Sequence, residues 1–130
     1  MELSTILGLL LIVVIVWLVL RGFSSSKGLS NYDAEQFGER LKATADVMLI
    51  DVREVEEYRS GHLPGAINIP LSQLRSRIGE VAKANGREVL LYCRSGMRSK
   101  QAAAVMRGQG VERLGHLQGG ITSWRGKITK

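Results

Sequence analysis

A short apolar run, Glu88-Val89-Leu90-Leu91-Tyr92, leads directly into Cys93, the only cysteine of the chain. Arg94-Ser95-Gly96-Met97-Arg98 follows, and Ser99 then opens an alanine-rich stretch of helical character. The run does not alternate, so it reads as a strand buried on both faces. Such a strand, followed at once by a helix, belongs to a parallel sheet covered by helices. Ser99 is the expected N-cap of that helix. The same order of elements carries chemistry. Gly96 accepts backbone angles that let loop N–H groups turn inward as an anion nest. The helix N-terminus adds partial positive charge, and Arg94 and Arg98 add two full charges. All three favour the thiolate, the reactive form of cysteine. Packing explains a lone buried cysteine, but not two arginines and a glycine within the next five residues.

The rest of the chain fits an α/β reading. Ser30-Asn31-Tyr32-Asp33 is expected to open a helix ending near Lys42, with Phe37 and Leu41 on its apolar face. Val47-Met48-Leu49-Ile50 reads as a buried strand, Val55 to Arg59 as a helical turn and Ile67-Asn68-Ile69 as a short strand. Leu71 to Ile78 looks helical, Val111 to Leu117 holds a last strand, and the Gly119-Gly120 turn leads into a terminal helix. Strands alternating with helices give about five parallel strands with helices on both faces. Ligands of such sheets sit at the carboxyl ends of strands. Asp51 and Cys93 each end a strand, so both are expected at one crevice.

The N-terminus is of a different kind. Leu3 to Leu20 contains no charged residue, and 18 helical residues span about 27 Å, close to a hydrocarbon core of about 30 Å. A signal peptide would carry basic residues before the apolar run, and only Glu2 stands there. Residues 1–21 are therefore expected to anchor the chain and residues 22–28, with three serines, to tether residues 29–130 as one domain. Arg21 and Lys27 follow the span and no basic residue precedes it, which places the domain on the cytoplasmic side of a cell inner membrane. After the span, 18 basic residues face 11 acidic ones, a formal +7 that suits anionic headgroups or small anionic substrates. No basic run is interleaved with aromatics, so nucleic acid is not an expected partner. One cysteine also excludes an internal disulfide, as suits a reducing compartment.

Loop length narrows the chemistry. A cysteine-dependent phosphatase needs five residues between its cysteine and a clamping arginine, whereas Arg98 comes after four and Ser99 holds the next position. The shorter cradle suits a single sulfur atom on the cysteine. Here the chain resembles the rhodanese-like sulfurtransferases, whose active loop is a cysteine plus five residues ahead of a helix. The resemblance extends to Leu49-Ile50-Asp51-Val52-Arg53-Glu54, Glu57-Tyr58 and Gly61-His62-Leu63-Pro64-Gly65-Ala66-Ile67-Asn68-Ile69-Pro70. Leu117-Gln118-Gly119-Gly120-Ile121 with Trp124 resembles the family's C-terminal signature, so that the likeness covers roughly residues 29 to 126.

That resemblance implies a sulfurtransferase with Cys93 as nucleophile and Arg94, Ser95, Gly96, Met97, Arg98 and Ser99 as the substrate cradle. A small anionic donor such as thiosulfate and a thiol or protein acceptor are the implied partners, with no metal or organic cofactor. It also favours a supporting role for Asp51, bonded to loop N–H groups or to Arg94 and Arg98, with Arg53 assisting an anionic group. The alternative for Asp51 is a carboxylate capping the next helix. Glu57 is placed to pair with Arg53 across a helical turn, and His62 to fix its loop. A Cys93–His116 protease pair is disfavoured, because the cradle activates the thiol without a base. Two other functions stand beside the first: a non-catalytic docking module at the membrane, and a cysteine-dependent phosphatase or arsenate reductase.

Overall fold

The computed structural model describes residues 2–23, 28–43 and 46–130. Ser24 to Lys27, most of the expected tether, lie outside the described residues. Helix α1 (Leu3–Phe23) includes the Leu3–Leu20 window, whose mean hydropathy is 3.0, and none of that window is buried. It is long and apolar enough to cross a membrane.

Five parallel strands follow, β1 (Leu29–Tyr32), β2 (Val47–Asp51), β3 (Ile67–Asn68), β4 (Glu88–Tyr92) and β5 (Leu114–Leu117), in the spatial order β1-β5-β4-β2-β3. Helices cover both faces. On one, Ile50, Val52, Val89 and Leu91 pack against Ala102, Ala103 and Met106 of α5 (Met97–Gly108) and Val81 of α4 (Ile78–Ala82). On the other, Leu49, Leu90, Tyr92 and Leu117 pack against Phe37 of α2 (Ala34–Ala43), with Tyr58 of α3 (Val55–Ser60) and Trp124 at the margin. β4 is central and wholly buried, as its unbroken apolar run requires.

Several expected elements differ. Leu29 to Tyr32 is an edge strand, and the helix begins only at Ala34, where Asp33 and Gln36 exchange side-chain-to-backbone hydrogen bonds in a capping box at 2.8 and 3.0 Å. Leu71 to Ile78 is not one helix. A 3₁₀ turn, Leu71–Gln73, and α4 divide it, each placing one apolar side against the sheet. The last strand is only Leu114–Leu117. The expected terminal helix is a single 3₁₀ turn, Gly120–Ser123, after which Trp124 is extended and packs edge-to-face on Phe37. Helix α5 starts at Met97, so Gly96 is its N-cap and Ser99 lies in the first turn.

Asp51 closes β2 and is fully buried with Arg53. Its carboxylate accepts the Arg53 backbone N–H at 2.8 Å and the guanidinium at 2.8–3.1 Å, and the guanidinium also donates to the Gly61 carbonyl at 2.6 Å. Asn68 donates to the carbonyls of both residues, at 3.0 and 2.9 Å. The pair thus ties β2, β3 and the Gly61 loop together at the carboxyl end of the sheet. Removing one buried partner leaves the other charge unpaired, at a cost of about 3–5 kcal/mol. Denaturant unfolding of the full chain should therefore show Asp51→Ala destabilised by about that amount. Asp51→Ala combined with Arg53→Leu should recover a large part of the loss, and an additive double variant would contradict this account.

Candidate active site

β4 delivers Cys93 to the carboxyl edge of the sheet, where the chain leaves the strand and reverses through Gly96 into α5. Gly96 has φ +111°, a conformation that favours glycine. Its N–H donates to the Cys93 sulfur at 3.0 Å, and the Ser99 hydroxyl lies 3.6 Å from the same atom. Burial of the thiol pushes its pKa up. The Ser99 backbone N–H and hydroxyl, with the N–H groups of Gly96 and Ser95, outweigh that and hold it below the ordinary value. A folded thiol with a lowered pKa is enriched in thiolate at neutral pH, and this is the nucleophilic form.

The loop is shaped from outside by the turn after β5. The Ile121 N–H donates to the Cys93 carbonyl at 2.9 Å and the Thr122 N–H to the Arg94 carbonyl at 3.3 Å. Gly120 lies so close that a Cβ there would collide with both carbonyls. Gly119 and Gly120 thus do more than make a turn. With the loop's carbonyls engaged on its outer side, its N–H groups are left for the sulfur.

The two arginines are placed unequally. Arg98 is held by Glu57 in a bidentate ion pair at 2.6 and 2.9 Å, and Glu57 also accepts the Glu54 backbone N–H at 3.0 Å. Those Arg98 hydrogen bonds, opposed by partial burial and aided by the Glu54 N–H, bring the Glu57 carboxyl down to about 2. The expected Glu57–Arg53 pair is therefore replaced by one that spans 41 residues of sequence. Arg94, Ser95 and Met97 form the exposed rim, with Met97 72% exposed.

Asp51 and Arg53 do not join this group. Asp51 pairs in register with Tyr92, while Cys93 packs with Val52, Ile50 and Leu91 on the other face. Strand alternation sends the Asp51 and Cys93 side chains to opposite sides of the sheet. The carboxylate bonds Arg53, neither the loop N–H groups, nor Arg94 or Arg98, nor the next helix. The Arg53 guanidinium lies over the Tyr92 ring, 5.7 Å from its centroid. His62 fixes its loop, stacking on Tyr58 with ring centroids 3.7 Å apart and bonding the Tyr58 carbonyl at 2.8 Å. Among the described residues no group of three His, Cys, Asp or Glu is arranged to hold a metal ion.

A further neighbour of the loop comes from β5. His116 of β5 is 1% exposed, and its Nδ1 lies 2.8 Å from the Ser99 hydroxyl that faces Cys93. In the sequence it stands directly before the Leu117-Gln118-Gly119-Gly120 motif.

Comparison with known proteins agrees with this geometry. Residues 33–127 match the rhodanese-like domain family. The chain is 41% identical over 92 residues to a sulfurtransferase from Allochromatium vinosum, covering 71% of this chain and 84% of that protein. It is 31% identical over 108 residues to a tRNA uridine(34) hydroxylase from Cronobacter sakazakii, covering 74% of this chain but 31% of the longer protein. Other relatives are also longer, and the chain spans between 48% and 62% of them. The crystal structure of a rhodanese-related protein from Thermoplasma volcanium superposes with a TM-score of 0.67 at 27% identity, over 77% of this chain and 97% of that one. The five-stranded parallel sheet, the cysteine loop at its carboxyl edge and the family match together establish that this chain belongs to the rhodanese-like domain family.

Proposed function

We propose that the domain is a sulfurtransferase working by double displacement through Cys93. The Cys93 thiolate attacks the terminal sulfur of thiosulfate or a similar anionic donor. A bond forms between the two sulfurs, the donor S–S bond breaks, and sulfite leaves with its electron pair. The persulfide sits among the loop N–H groups from Arg94 to Ser99. A thiophilic acceptor, a thiol or an acceptor protein, then attacks the outer sulfur and returns Cys93 as thiolate. The observation that carries this reading is the cysteine sulfur facing the Gly96 N–H and the Ser99 hydroxyl. A phosphatase or arsenate reductase is less well supported, because Arg98 is engaged by Glu57 and follows Cys93 too closely to clamp an oxyanion. Arg94, at the exposed rim, is the cation placed to meet an incoming anion.

Treatment of the purified chain with thiosulfate should add one sulfur, roughly 32 Da, to Cys93 and be reversed by a reducing agent. An adduct absent or mapped elsewhere in intact-mass and peptide analysis would remove the sulfur-transfer reading.

Residues 1–21 we assign as a single-pass anchor and 22–28 as a tether, with the domain, 29–130, on the cytoplasmic face of the inner membrane. The support is the unburied apolar window Leu3–Leu20, followed in sequence by Arg21 and Lys27. The chain should stay with membranes through salt and alkaline washing. Protease outside sealed right-side-out vesicles should spare the domain. Its digestion, or a mature N-terminus beyond Gly22, would make this an exported protein instead.

A further inference from the structure

Ser99 has one hydroxyl hydrogen and three neighbours able to take it. They are the Cys93 sulfur at 3.6 Å, the Gly96 carbonyl at 3.0 Å and His116 Nδ1 at 2.8 Å. His116 is fixed from its far side. Asn31 stands opposite it in the β1–β5 register, and the Asn31 side-chain oxygen lies 2.6 Å from His116 Nε2. An oxygen there requires Nε2 to carry hydrogen, which in the neutral ring leaves Nδ1 bare toward Ser99. The three side chains from β1, β5 and α5 therefore form one directed chain ending on the cysteine sulfur. It runs from the exposed Asn31 to the buried Cys93, so it links the sulfur with the surface.

We propose that His116, acting through Ser99, is the positioning residue that exchanges a proton with Cys93. With Cys93 as thiol, S–H donates to Ser99 Oγ and the Ser99 hydroxyl donates to Nδ1. In the exchange the S–H bond breaks, Oγ takes that proton, and Oγ releases its own to Nδ1. Thiolate and imidazolium result, with no hydrogen gained or lost, and the hydroxyl now points at the sulfur. Burial, followed by the charge of Lys100, holds the His116 pKa below its ordinary value, which favours the neutral ring as the form that faces Ser99 before the exchange. Among the described residues Lys100 from α5 acts on His116 by its charge, and Cys93 reaches it through Ser99. β1 contributes the uncharged Asn31, and β4 the apolar Leu91 in register.

The relay deepens the sulfur-transfer reading by naming how the nucleophile ionises, and its test reads protons rather than sulfur. A failed thiosulfate adduct would thus leave it standing, and the reverse also holds. The full chain in detergent micelles is labelled with ¹⁵N-histidine and titrated with Cys93 free or blocked by methyl methanethiosulfonate. At neutral pH the His116 ring should show a protonated Nε2 and a bare Nδ1. Blocking Cys93 should lower the His116 pKa by about one unit, the scale of directly interacting sites. In Ser99→Ala that response should fall to less than half. In parallel, the pH profile of Cys93 alkylation should have two inflections in the wild type and one in His116→Gln, which keeps a polar side chain at the site. A ring protonated at Nδ1, a His116 titration indifferent to blocking, or a wild-type alkylation profile identical to that of His116→Gln would overturn the proposal.

Discussion

The cysteine loop depends on a second stretch of backbone pressed against its outer side. Left alone, a four-residue turn between a strand and a helix would place its carbonyls and N–H groups in whatever mixture hydration preferred. Here the carbonyls of Cys93 and Arg94 are held by the N–H groups of Ile121 and Thr122, and Gly120 comes too close for any side chain. Gly96 completes the reversal with a positive φ. The outward side of the loop is then occupied, and its donors face the sulfur. The Gly119-Gly120 motif and the Cys93 loop are in this sense one device, although 22 residues separate Gly96 from Gly119 in the chain.

This arrangement divides the electrostatic work in a way that net charge hides. Dipoles at contact distance act directly on the thiolate, because their geometry is fixed and the cysteine is buried. The formal charges of the loop are partly engaged elsewhere. Glu57 takes both forks of Arg98, while Arg94 extends from the exposed rim. Asp51 and Arg53, near in sequence terms and at the same end of the sheet, serve the other face. Their buried pair organises the strand ends and the Gly61 loop and does not touch the cradle.

What could be read in the sequence was local. The apolar runs at Val47 and Val89 needed no partner to be recognised, because strands buried on both faces lose their alternation. The step from Cys93 through Gly96 into an alanine-rich helix was equally plain. β1 was not, since Leu29-Ser30-Asn31-Tyr32 offers two apolar residues and owes its extended form to pairing with β5, far along the chain. The helix expected after Gly120 failed for a similar reason. Trp124 leaves the 3₁₀ turn to reach Phe37, a contact no local pattern announces. Placing Asp51 beside Cys93 followed from both ending strands. Register decides which face each side chain takes, and register is a property of two strands. Pairs such as Arg98 with Glu57 or Ser99 with His116 are invisible for the same reason.

The central claim is that oriented N–H groups and the Ser99 hydroxyl, rather than the loop arginines, make Cys93 a thiolate. It is tested most directly by the thiol pKa, read from the pH dependence of alkylation, in Ser99→Ala and in the Arg94→Ala/Arg98→Ala double variant. The account predicts that the double variant keeps its pKa below the free-thiol value of about 8.5, whereas Ser99→Ala moves upward toward it. A double variant that returns to the free value, beside a Ser99→Ala chain that does not move, would contradict it.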